Sequence, residues 1–273
     1  MLTLSGKTMD EIAIERLREW EPKACEMNPD GFWLAFSGGK DSVVILDLVK
    51  RSGVKYKAYH SLTTCDPPEL VKFVKTFPDV EILHPPMSMW QLIKHEGIPP
   101  RRTARFCCEV LKERGGDGCF VVTGIRWAES SRRSKRRMVE SCYRSHRKGT
   151  KFLNVIIDWS ASDVWSYIRE RGLRYCSLYD EGFRRVGCVL CPMTRNVQEQ
   201  IERWPKIAAL WERSIKATWK PDDSKKRVFR SAEEYWRWWL DRDVPSVNNQ
   251  PVLFEDDPDM VDQTDYGMEQ VRE

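Results

Sequence analysis

The stretch Gly31-Phe32-Trp33-Leu34-Ala35-Phe36-Ser37-Gly38-Gly39-Lys40-Asp41-Ser42-Val43-Val44-Ile45-Leu46 decides the fold. Its first part, Gly31 to Phe36, is a short apolar run, the pattern of a buried strand. Its last part opens a predicted helix over Asp41 to Arg51. Val43, Val44, Leu46, Leu48 and Val49 supply the apolar residues, and Gly53 stops it. Between the two lies a small polar turn. Gly38 and Gly39 let backbone N–H groups point inward at little steric cost. The following helix adds the positive end of its dipole. Lys40 brings a mobile point charge, and Ser37 and Ser42 bring hydroxyl donors. Asp41 suits a helix cap or an Mg²⁺ ligand. The spacing is not that of the P-loop, which has four residues between its glycines and ends in Gly-Lys-Ser/Thr. Ser-Gly-Gly alone also describes an ordinary turn. The strand before it and the helix after it point to a cradle for nucleotide pyrophosphate.

Working outward, Met9 to about Met27 reads as a helix, with Ile12, Ile14, Leu17 and Trp20 on one stripe. Downstream, Tyr56–His60 and Val80–Leu83 read as strands, and so do Cys119–Gly124 and Phe152–Ile157. Helices are predicted from Pro67-Pro68 to Phe77, Ser88 to His95, Cys107 to Arg114 and Ser160 to Arg171. The last opens with Ser160 and Asp163 in a capping pattern. Such alternation predicts an α/β fold: an open parallel five-stranded sheet with helices on both faces, plus a helical C-terminal extension. Ligands of such sheets bind at the carboxyl ends of the strands, where Ser37–Ser42 falls. Beyond Gln198, Ile201, Trp204, Ile207, Leu210, Trp211 and Ile215 keep a helical spacing. Ala232 to Leu240 holds Trp236, Trp238 and Trp239. These indoles suit either base stacking or a buried helical cap, and burial statistics favour the cap. The expected organisation is an N-terminal helix (1–30), a nucleotide-binding domain with clustered cysteines (31–195), a Trp-rich cap (196–243) and an acidic extended tail (244–273).

Of the 273 residues, 41% are hydrophobic and 32% charged, the balance of a soluble globular chain. No apolar run approaches the ~20 residues of a membrane span. The first residues lack the features of a signal peptide, so a cytoplasmic protein without membrane attachment is expected. The net charge of +4 is unevenly spread. Residues 101–151 are rich in arginine and lysine, with Arg126, Arg132, Arg133, Arg136 and Arg137 close together, whereas residues 241–273 are acidic. A basic middle segment suits an anion: nucleotide phosphate, sulfate or nucleic acid. A solvated helix face is the plainer account.

The nine cysteines are an odd number, which argues against a disulfide framework. Two pairs stand out, Cys107-Cys108 and Cys188-Val189-Leu190-Cys191. Four thiolates can hold zinc or an iron–sulfur cluster, or the cysteines can stand without a metal. Adjacent cysteines reach different irons of a cubane more easily than they reach one small ion. Cys188 and Cys191 could instead be a redox dithiol, which leaves Cys107-Cys108 unexplained. Cys25, Cys65, Cys119, Cys142 and Cys176 are scattered and are expected to be small buried hydrophobes.

Ser37-Gly38-Gly39-Lys40-Asp41-Ser42 resembles the PP-loop of ATP pyrophosphatases, which cleave ATP between the α and β phosphates. Three later segments resemble one branch, the phosphoadenylyl-sulfate (PAPS) reductase family. They are Thr64-Cys65-Asp66-Pro67-Pro68-Glu69, Gly124-Ile125-Arg126-Trp127-Ala128-Glu129-Ser130-Ser131-Arg132-Arg133, and Ile156-Ile157-Asp158-Trp159-Ser160 with Asp163-Val164-Trp165. The resemblance covers roughly Gly31 to Met193. It implies an adenine nucleotide alpha-hydrolase-like fold and an adenine nucleotide held by Ser37, Gly38, Gly39, Lys40, Asp41, Ser42, Asp66, Gly124, Arg126, Glu129 and Arg133. It implies catalytic roles for Lys40, Asp41 and Arg126. Cys107, Cys108, Cys188 and Cys191 resemble the set that holds a [4Fe–4S] cluster in assimilatory adenylyl-sulfate reductases.

Two departures from the reductases matter. No cysteine follows Cys191, whereas those enzymes use a C-terminal cysteine as nucleophile. The loop is complete, whereas theirs is usually degenerate. Both favour an ATP-using relative, such as the sulfur-incorporation proteins of DNA phosphorothioation systems. The expectation is therefore an enzyme using ATP, Mg²⁺ and a [4Fe–4S] cluster. It would adenylate an acceptor, a nucleic acid among the candidates, and support sulfur transfer with a sulfur-donor or electron-donor protein. The alternatives are a reductase releasing sulfite, and a nucleotide-binding subunit silent without its partner.

Overall fold

The computed structural model describes residues 6–142, 147, 149–221 and 229–241. The expected acidic tail, 244–273, lies outside the described residues. Helix α1 (Met9–Met27) opens on a capping box in which the Thr8 hydroxyl accepts the Glu11 N–H and the Glu11 carboxylate accepts the Thr8 N–H. Strand β1 (Phe32–Ala35) leads into α2 (Lys40–Ser52), which ends at Gly53 with a positive φ of 76°. Then follow β2 (Tyr56–Ser61), α3 (Pro68–Val74), β3 (Val80–Leu83), α4 (Met89–Glu96), α5 (Phe106–Leu111) and β4 (Phe120–Thr123). The chain continues through β5 (Val139–Ser141), β6 (Lys151–Asn154), α6 (Ala161–Glu170), α7 (Val197–Arg203), α8 (Pro205–Lys216) and α9 (Ala232–Leu240).

The sheet has six strands in the order β3-β2-β1-β4-β6-β5. All neighbours are parallel except β5 and β6. This corrects the expected five-stranded parallel sheet. The extra strand has three residues, too few to show alternation. It is anchored by Asn154, whose backbone N–H reaches Met138 O at 2.8 Å and whose amide reaches Arg137 O at 2.7 Å. A second correction follows. The predicted strand Phe152–Ile157 pairs only as far as Asn154, and Val155, Ile156 and Ile157 form a buried turn. Short apolar runs report burial, and burial alone does not distinguish a strand from a packed turn.

From β1 the chain runs outward to β2 and β3, then returns to β4 on the other side. The carboxyl ends of β1 and β4 therefore face a topological switch point, where this class of sheet opens a crevice. The loop at 37–42 and the segment from Gly124 both begin there.

The predicted helical stripe beyond Gln198 is two helices, broken at Trp204-Pro205, with Pro205 at the first position of α8. The tryptophans behave as a cap. Trp211 is fully buried and donates its indole N–H to Val189 O at 3.0 Å. Its ring stacks on Trp239 with centroids 4.9 Å apart, and Trp239 donates to Pro100 O at 2.8 Å. Buried faces such as these are closed to nucleobases. No helix among the described residues is long and apolar enough to cross a membrane.

Candidate functional site

The loop after β1 is held by its own small side chains. Ser42 Oγ donates to Gly39 O at 2.7 Å, Gly39 N–H reaches Ser37 Oγ at 3.3 Å, and Ser37 Oγ lies 3.2 Å from Ser42 Oγ. Buried His60, at the end of β2, bonds through Nδ1 to Phe36 O at 2.9 Å and steadies the entry. Gly38 has φ 76°, and a Cβ there would stand 2.7 Å from both Leu70 Cδ1 and Val74 Cγ2. Only glycine fits that position. Gly39 is the N-cap of α2 and makes no side-chain cap bond.

Asp41 does not cap the helix, as its position had suggested. Instead it joins two cations. Its Oδ2 accepts Lys40 Nζ at 2.9 Å and its Oδ1 accepts Arg126 Nε at 2.7 Å. Arg126 arrives from the segment after β4, 85 positions away, and its side chain is only 4% exposed. It also donates to Trp159 O at 3.3 Å. Glu129 accepts the Arg126 backbone N–H at 2.9 Å and forms an ion pair with Arg133. Gly124 lies against Asp41, since a Cβ on it would meet Asp41 Cβ at 3.1 Å. One carboxylate thus faces two cations at the start of a helix. The surplus positive charge and the helix dipole favour an anion in the crevice.

The four paired cysteines lie close enough to feel one another's charge. Cys107 and Cys108 on α5 are hydrogen-bonded to each other, and both feel the charge of Cys188. The structure adds two residues that the sequence reading did not place there. The Cys65 thiol hydrogen bonds to Cys188, and the Val189 N–H donates to Cys65 O at 2.8 Å. Lys112, beyond α5 and exposed at its surface, feels Cys188 most strongly, then Asp66, Cys191 and Cys108, and these negative charges push it well above the usual lysine range. The Cys65 hydrogen bond, then the Lys112 charge, bring Cys188 down to about 6 against burial. The Cys107 hydrogen bond, then Lys112 and Arg105, bring Cys108 down to about 7, also against burial. Cys107 and Cys65 are pushed up, each first by the hydrogen bond it makes and then by burial. Burial pushes Cys191 up.

Backbone strain gathers at the same place. Among the described residues, Thr64 (φ 65°) and Leu190 (φ 54°) are the non-glycine residues with positive φ. Thr64 Oγ1 accepts the Met89 N–H at 2.9 Å, and the Leu190 N–H donates to Gln200 Oε1 at 2.7 Å. Such conformations persist where surrounding contacts enforce them, often at functional sites. Asp66 uses Oδ2 to close this turn on the Thr63 N–H at 2.7 Å, and its charge acts on Cys188 and Lys112. Its charge also acts on His60 at the entry to the loop. As the side chains stand, no three described His, Cys, Asp or Glu are grouped to hold a metal ion.

Residues 31–194, more than half of the chain, match the family model described as a phosphoadenosine phosphosulfate reductase domain. An uncharacterised protein of Methanocaldococcus jannaschii is 33% identical over 205 residues, 67% of this chain and 41% of its own length. A second from the same organism is 29% identical, over 75% of this chain and 51% of its own length. The chain thus spans about half the length of these archaeal relatives. A protein of Gloeobacter violaceus named phosphoadenosine 5'-phosphosulfate reductase is 28% identical over 72% of this chain and 90% of its own. Among solved structures, the phosphoadenylyl-sulfate reductase of Candida auris, in a phosphate complex, aligns with a TM-score of 0.49 and 20% identity. That alignment covers 69% of this chain and 96% of the other.

Proposed function

Because the chain belongs to the phosphoadenosine phosphosulfate reductase family, we propose that it is a sulfur-metabolism enzyme that binds ATP and cleaves it between the α and β phosphates. The observation that carries this reading is the convergence of Lys40 and Arg126 on Asp41 beside a complete loop. The β- and γ-phosphates lie over Ser37–Ser42. An acceptor oxygen attacks the α-phosphorus, the bond to the β-phosphate oxygen breaks, and pyrophosphate leaves. Lys40 and Arg126 stabilise the charge that builds on the phosphate oxygens, and Asp41 keeps both cations in place. Asp41 is the loop carboxylate that would hold Mg²⁺, which would serve as counter-ion of the phosphates. Sulfur supplied as hydrosulfide then attacks the activated acceptor, forming the carbon–sulfur bond as the bond to the adenylated oxygen breaks and AMP leaves.

Cys107, Cys108, Cys188 and Cys191 suit a [4Fe–4S] cluster by donor chemistry. Two are biased toward thiolate and Lys112 offsets the charge of thiolate-bound iron. When bound, such a group supplies an electron-transfer or sulfide-binding centre. Protein purified without oxygen is expected to hold about four irons per chain and to be brown. Cys188→Ser should cut both iron and visible absorbance by more than half. Stoichiometric zinc in place of iron would sink the cluster assignment.

The acceptor class that fits the rim is single-stranded nucleic acid. Trp127, next to Arg126, is 43% exposed, and its indole N–H is pinned to Arg136 O at 2.7 Å. Arg132, Lys135 and Arg137 are exposed nearby in the chain. Base stacking on such a ring tolerates many sequences, while the cations follow the backbone. Trp127→Ala is expected to weaken oligonucleotide binding about tenfold at fixed salt. Equal affinity of the variant would remove Trp127 from the surface.

The central test is ATP–pyrophosphate exchange by anaerobically prepared protein with candidate acceptors. Exchange supports the reading. Sulfite release from adenylyl sulfate or its 3'-phosphate with a thioredoxin-type donor, and no exchange, would establish the reductase reading in its place. Nucleotide binding with neither activity until a second protein is added would indicate a partner-dependent subunit.

A further inference from the structure

Tyr179 lies 139 positions from Lys40, yet its hydroxyl oxygen accepts the Lys40 backbone N–H at 3.0 Å. That N–H belongs to the first residue of α2, one of the donors a helix leaves unpaired and a phosphate would receive. Two further contacts place the phenol over the loop. A Cβ on Gly39 would stand 3.4 Å from the same hydroxyl, and Lys40 Nζ lies 5.9 Å from the ring centroid. Tyr179 is therefore a wall of the anion site.

The wall is firmly held. Tyr179 ends a short 3₁₀ turn, Ser177–Tyr179, that follows buried Cys176 and contains buried Leu178. Trp165 meets the ring edge-on at 5.2 Å, and Tyr175 lies at 6.3 Å. A swing out of the loop would break these contacts. Having accepted from Lys40, the hydroxyl keeps its own proton, and no described residue accepts it. Burial pushes the phenol up to about 12, which keeps that proton in place at neutral pH. Half-buried against the loop and with its proton unclaimed by any described residue, the hydroxyl is placed to donate to a ligand seated there.

We propose that Tyr179 is a phosphate-binding residue of the loop: its hydroxyl retains the Lys40 N–H and donates its proton to a non-bridging oxygen of the seated pyrophosphate moiety. The assignment rests on the reading that Ser37–Ser42 seats the β- and γ-phosphates. It implies that the site selects nucleotides with a polyphosphate chain over monophosphates, and that pyrophosphate alone is recognised.

The test compares wild type and Tyr179→Phe by calorimetric titration with Mg–ATP, pyrophosphate and AMP. Phenylalanine keeps the ring and its packing on Trp165, and an unchanged melting temperature without ligand checks this. The expected result is a loss of tenfold or more in affinity for ATP and for pyrophosphate, with AMP affinity unchanged. One hydrogen bond to a charged group has that worth. Should the variant melt earlier, the ratio of ATP to AMP affinity within each protein still decides. Equal losses for ATP and AMP, or tighter ATP binding, would overturn the assignment. A wild type that binds neither ATP nor pyrophosphate would overturn the loop reading itself, which is a distinct result.

Discussion

Arg126→Met is expected to abolish measurable ATP binding and to lower stability by about 2–3 kcal/mol. The guanidinium is nearly buried and bonds both Asp41 and Trp159 O. Methionine fills much of the volume but leaves the Asp41 carboxylate without its stronger partner. Removing one member of a buried pair costs more than the pair contributes, because the remaining charge stays desolvated. The lower end of the usual range applies here, since Asp41 is 19% exposed and retains Lys40. Lys40 then becomes the sole counter-ion of Asp41 and is less available to phosphate. Arg126→Lys should recover part of the stability but little affinity, because an ammonium cannot reproduce the planar fork that spans Asp41 and Trp159. Denaturant titration and ATP calorimetry on both variants check this. Wild-type affinity in Arg126→Met would remove Arg126 from the site.

Gly38→Ala is expected to cost about 2–4 kcal/mol and to weaken ATP binding at least a hundredfold. Two effects add. Alanine at φ 76° costs roughly 1 kcal/mol, and its Cβ meets Leu70 and Val74 of α3 at 2.7 Å. Both of those side chains are buried, so relief requires α3 and the loop to separate. That displaces the backbone donors from the phosphate position. Gly39→Ala is the control: its φ is −76° and its nearest contacts are 3.4 Å, an ordinary separation. It should keep most of the stability. Melting curves for the two variants separate the outcomes, and equal stability losses would contradict the account.

Much of the architecture was legible in residue order, and the exceptions have identifiable causes. Helices α1, α2, α4 and α6 announce themselves through periodicity, caps and a terminal glycine, all encoded within a few neighbours. Strand β5 does not, because its three residues owe their pairing to Asn154 rather than to their own pattern. Pro205 is visible in the sequence, but the apolar spacing across it masks the break between α7 and α8. Asp41 suits a cap or an Mg²⁺ ligand by position, and only the approach of Arg126 shows which side chains it holds. Cys65 looked like a scattered buried thiol. Lys112, four positions after Cys108 at the end of α5, carried a helical-spacing signal that could have tied it to the thiols.

The sequence by itself determined the loop at Ser37–Ser42, the strand and helix that flank it, and the four cysteines in two pairs. These are local features: glycine's freedom, apolar spacing and short motifs act over a few residues. The tertiary structure alone decided that Asp41 bridges Lys40 and Arg126, that Cys65 and Lys112 stand with the paired thiols, and that Tyr179 covers the loop. Those contacts join parts of the chain brought together by crossovers at a switch point. Periodicity carries no record of such meetings, because they depend on register and packing rather than on neighbours in sequence.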